Sequence, residues 1–123
     1  MINMTPLANL TSTLVAIEFL YIFYLETFAT TSKTTARVFK LKPLELKQKT
    51  INTLFKNLGI YNGSIGIMLL LSLYAFQLPQ MSITLLVFCV IVAFYGGITS
   101  DPMIIVKQGG LPTLSLLCYI FQL

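Results

Sequence analysis

Four long apolar runs, at 7–29, 58–78, 81–98 and 103–123, are separated by polar interruptions. Each run is close to the roughly 20 residues that carry a helix across a hydrocarbon core at about 1.5 Å per residue. None shows the alternation of polar and apolar positions expected of a barrel strand. The pattern predicts an all-α, integral membrane four-helix bundle in which residues 1–123 make a single four-span domain. Pro79, flanked by Gln77 and Gln80, marks one reversal and Thr99-Ser100-Asp101-Pro102 another. Such short connections predict antiparallel neighbours.

The one long polar stretch is 30–57. Within it Pro43 fits the first position of a helix whose Leu44, Ile51, Leu54, Phe55 and Leu58 share a face. The loop should therefore carry an amphipathic helical segment that feeds the second span.

Composition narrows the class. Hydrophobic residues make up 56% of the chain and charged ones 10%, against about 25% charged in a soluble domain, which excludes a water-soluble enzyme. Seven of the eight basic residues (Lys33, Arg37, Lys40, Lys42, Lys47, Lys49 and Lys56) lie in 30–57 with a single acid, Glu45, and the eighth is Lys107. Cytoplasmic loops accumulate Lys and Arg, so this loop should be cytoplasmic and both termini outside, in the cell membrane. The opening residues carry no basic leader, so the first run is expected to stay as an anchor. The basic loop reads first as a topology signal with a solvated face, and second as a surface for anionic lipid or a partner. It lacks a folded reader for nucleic acid, which is not an expected partner. With no His and two Cys at no ligand spacing, no metal and no cofactor are expected. Cys89 and Cys118 read as small buried apolar residues.

Candidate chemistry lies in polar residues inside the apolar runs. A carboxylate in mid-span costs about 2.5–3.5 kcal/mol on insertion scales and needs a partner, water or a proton. Glu18 is that residue. Glu26 follows about 80° around and about 12 Å along an ideal helix, on a stripe with Tyr21, Ile22 and Leu25. On the second span Gly59, Asn62, Gly63 and Gly66 project to one side, where small residues let another backbone approach. The Asn62 amide needs hydrogen-bond partners there, and a nearby glutamate would order both. Depth counting places Glu26, Asn62, Tyr95 and Gln108 about 6–7.5 Å inside the basic-side boundary and Glu18 about 18 Å inside it. Glu18, Tyr21, Glu26, Asn62, Tyr95 and Gln108 are accordingly the candidate ligand-binding residues. The competing reading is a hydrogen-bond network that fixes helix register. Gly96-Gly97, and Gly109-Gly110 before Pro112, allow close approach or local unwinding.

The string Ile17-Glu18-Phe19-Leu20-Tyr21-Ile22-Phe23-Tyr24-Leu25-Glu26-Thr27-Phe28, followed by Arg37-Val38-Phe39, resembles the family of small membrane proteins called domain of unknown function 1304. Asn57-Leu58-Gly59-Ile60-Tyr61-Asn62-Gly63, Tyr95-Gly96 and Gln108-Gly109-Gly110-Leu111-Pro112 are similar to its later motifs, in the same order. The resemblance covers nearly the whole chain and implies a four-span membrane protein, with no established activity attached. Phe19 stands where that family usually has His, Leu58 where it has Gln, and Thr30 about where Trp is common. A role built on a Glu-His pair therefore does not carry over to this chain.

Three functions follow as expectations. The first is binding or transport of a small amphiphilic or cationic ligand with Glu18 as the proton or cation site. By analogy with small four-span exporters, a homodimer is the assembly it implies. The second is a membrane enzyme acting on a lipid-like substrate with Glu18 and Glu26 as acid and base. The third is a structural subunit whose glycine faces join another protein's helices. The lipid bilayer is the partner common to all three.

Overall fold

A computed structural model describes residues 2–123. The elements run in chain order as α1 (Pro6–Phe23), α2 (Lys33–Phe39), α3 (Pro43–Lys47), α4 (Lys49–Leu70), α5 (Pro79–Thr99) and α6 (Met103–Ile120). Helix α1 continues through a π-helical turn, Tyr24–Phe28, and α4 through another, Leu71–Ala75. With these turns included, four helices (Pro6–Phe28, Lys49–Ala75, Pro79–Thr99 and Met103–Ile120) are long and apolar enough to cross a membrane. The all-α, four-helix reading holds. The chain packs as two compact units, 2–16 with Met68–Leu123, and Ile17–Ile67.

In the first unit α5 and α6 pack closely because each presents small residues at helical spacing. The buried stripe of α5 is Ser82, Leu86, Cys89, Ala93 and Gly97, and that of α6 includes Gly109, Pro112, Ser115, Cys118 and Tyr119. A Cβ on Gly97 would overlap the Ile105 side chain, and one on Gly109 would lie 3.2 Å from Ala93 Cβ. Both Cys89 and Cys118 are buried, as read from the sequence. The unwinding considered for the glycine pairs is absent. Helix α5 runs on to Thr99, and α6 is continuous with Pro112 inside it. Pro112 removes one backbone donor, and the Thr113 hydroxyl caps the carbonyl of Gly109 at 2.7 Å.

Hydroxyl pairs tie this unit together. Ser115 Oγ sits 3.0 Å from Thr11 Oγ1 and 2.6 Å from Ser12 Oγ. Ser72 and Ser82 meet at 2.7 Å, and Thr13 meets the Tyr74 hydroxyl at 2.6 Å. Such bonds between apolar helices satisfy groups that hydrocarbon would leave bare.

The second unit joins the latter part of α1 to α2, α3 and most of α4. Ser32 caps α2 by accepting from Thr35 N at 3.1 Å. Lys40 ends that helix in the left-handed region at φ 55°, while Leu41 N bonds back to Ala36 O. Pro43 opens α3, as its fixed φ favours. Glu45 Oε1 accepts from Lys42 N at 3.0 Å, one half of a capping box. The helix then stops, because Gln48 adopts extended backbone at ψ 132°. The expected single amphipathic helix from Pro43 into the second span is thus two helices, and Leu44 no longer shares a face with Ile51 and Phe55. Phe39 and Phe55 meet edge to face with centroids 5.2 Å apart, which holds the end of α2 against α4.

Candidate functional site

The site lies within the second unit, where α1 changes its winding. Over Tyr24–Phe28 the backbone bonds reach one residue further than in an α-helix, with Ala29 N donating to Tyr24 O at 2.9 Å. A π turn rotates less per residue, so Glu26 lies closer to the face of Glu18 than the 80° of an ideal helix. The carbonyls at this irregular end would be bare in hydrocarbon, and threonines cover them. Thr30 Oγ1 donates to Glu26 O at 2.7 Å, and Thr35 Oγ1 lies 2.6 Å from Ala29 O and 3.2 Å from Leu25 O. Thr27 Oγ1 donates to Lys56 O at 3.1 Å.

Glycines bring α4 against this turn. A Cβ on Gly59 would overlap Thr27 Oγ1 and lie 3.1 Å from Glu26 Cβ, while one on Gly63 would lie 2.7 Å from Phe23 Cγ. Only a residue without a side chain permits that approach. One helical turn holds Asn62 in place between them, and its Nδ2 donates to Glu26 Oε1 at 2.6 Å. Glu26 is 3% exposed. The glutamate that Asn62 was expected to need is therefore Glu26, held in a short hydrogen bond.

Glu18 differs. Its side chain is half-buried, and its Oε1 is closed off with no hydrogen-bond partner. Burying such an oxygen is costly unless a proton or a donor reaches it.

The remaining candidates are placed less closely. Tyr21 is 50% exposed while Ile22 and Leu25 are buried, so it does not share their inward stripe. One residue of helical rotation, about 100°, separates it from Ile22. Tyr95 belongs to the first unit and is 67% exposed. It lies midway in sequence between the buried Ala93 and Gly97, about 200° from each, and so faces away from the α5 stripe. Gln108, also in the first unit, is half-buried beside Gly109. The threonine hydroxyls at 27, 30 and 35 carry no sequence signal beyond their position near the end of an apolar run. Among the described residues no cluster of three potential metal ligands occurs. A cavity of about 400 Å³ in the first unit, lined by Asn3, Asn9 and Gln77 among others, has no ionisable side chain in its wall.

The family model described as "Protein of unknown function (DUF1304)" matches residues 13–120. The chain is also 50% identical over 120 residues to the uncharacterized protein YpaA of Lactococcus lactis subsp. lactis (strain IL1403), covering 96% of this chain and 100% of that protein. No solved structure matches.

Proposed function

Taking as premise that this chain belongs to the DUF1304 family, whose description carries no activity, we propose that it binds, and by extension transports, a small amphiphilic cation at an intramembrane carboxylate site. Glu18 is the proton or cation site, and the Glu26–Asn62 pair is an ordered polar group about two helical turns further along α1. The observation that carries this reading is the closed-off, unpartnered Glu18 Oε1 within a helix apolar enough to span a membrane. A carboxyl in that setting takes a proton when empty and exchanges it for a cation when a ligand arrives. The same proposal sets the basic loop on the cytoplasmic side of the cell membrane with both termini outside, on the strength of its lysines.

The test uses protein reconstituted in lipid and titrated with tetraphenylphosphonium in weakly buffered solution. Binding is expected to release protons in the wild type, and Glu18→Gln, which removes the Coulombic attraction to the phosphonium, to bind at least about tenfold more weakly without release. Equal binding and equal release by the two proteins would overturn the proposal.

A further inference from the structure

Most exposed apolar side chains of this chain lie on helices that can face acyl chains, but Leu44 does not. It sits on α3, in the connection between two candidate spans, and is 76% exposed. Its orientation is fixed from the opposite side. Leu46, about 200° around the same helix, is fully buried, and its carbonyl accepts from Asn52 Nδ2 at 3.2 Å. Helix α3 therefore cannot roll Leu44 inward without extracting Leu46. Around Leu44 the chain places Lys42 and Lys47, both exposed, and the one acid of the loop, Glu45, is turned back onto the Lys42 backbone. The outward face is thus an aliphatic side chain flanked by cations whose local acid is already engaged.

We infer that the α3 face bearing Leu44 and Lys47, with the exposed Lys42 just before the helix, docks on an anionic bilayer surface, with the ammonium groups on lipid phosphates and Leu44 at the depth of the first acyl carbons. Charge complementarity selects this occupant. A zwitterionic surface or an apolar protein groove would take Leu44 but leave the lysines unmatched, while an acidic soluble partner would leave Leu44 in water. The connection also begins and ends at candidate spans, so it lies next to a bilayer wherever those spans are inserted. This inference is independent of the proposed cation site.

The chain contains no tryptophan, so Leu44→Trp gives a single reporter on the exposed face. It is reconstituted into phosphatidylcholine vesicles with or without about a third phosphatidylglycerol, with brominated acyl chains as quenchers. In the anionic vesicles the expected result is blue-shifted emission and at least about twofold stronger quenching, both reversed by high salt. Adding Lys42→Glu and Lys47→Glu to the reporter protein is expected to remove the difference between vesicles. Water-like emission in both compositions, the mark of a solvated face, would overturn the inference. So would equal blue-shifted emission in both vesicles and in detergent, the mark of a face covered by protein.

Discussion

The two compact units satisfy their buried polar groups in different ways. The first uses neutral hydroxyls in pairs, with Thr11 and Ser12 on Ser115, Ser72 on Ser82, and Thr13 on Tyr74. The second also uses hydroxyls, at Thr30 and Thr35, but adds two carboxylates, one matched by Asn62 and the other with an oxygen left without a partner. Bare atoms occur in the first unit too, at the Tyr119 hydroxyl and Asn9 Oδ1. Those are neutral groups, whereas a buried carboxyl must hold a proton, find a partner or carry a costly charge. Hydroxyl pairs suffice to register helices, whereas a lone intramembrane carboxyl has a cost that packing alone does not require. The contrast separates a structural unit from a candidate site.

The comparison can be broken most forcefully at the glycines. Gly59→Val is expected to destabilise the protein by about 3 kcal/mol, since its Cβ meets Thr27 backbone and side chain at once. Thermal unfolding in detergent, followed by circular dichroism, measures it. Asn62→Leu is expected to cost about 2 kcal/mol by leaving Glu26 without its donor, and Asn62→Leu combined with Glu26→Gln to recover part of that loss. An additive double mutant would show that the pair is not coupled. Ser115→Ala removes two hydroxyl partners and is expected to cost about 1 kcal/mol with ligand binding unchanged, which sharpens the assignment of the first unit as structural. Gly110→Ala, with nothing within 4 Å of the new Cβ, is expected to stabilise α6 by about 0.5 kcal/mol.

Spans were legible because a 20-residue apolar run admits few alternatives, and the observed ends differ from the runs by a few residues except at α4, which begins in the basic loop. The Glu26–Asn62 contact was legible from depth counting together with the glycines on either side of Asn62. Three features were not. The π turn at Tyr24–Phe28 depends on which carbonyls the threonines can cover, a tertiary matter. The break at Gln48 has no glycine or proline to announce it. The outward direction of Tyr95 from the α5 stripe was the third, because depth along an axis says nothing of rotation about it. The small residues Ala93 and Gly97 carried that information.

Infrared difference spectroscopy of the reconstituted protein, recorded before and after tetraphenylphosphonium is added, tests the central claim most directly. Loss of a protonated-carboxyl stretching band is predicted in the wild type and in Ser115→Ala, and its absence in Glu18→Gln. A wild-type spectrum without that change, or the same change in Glu18→Gln, would contradict the assignment of Glu18 as the exchanging group.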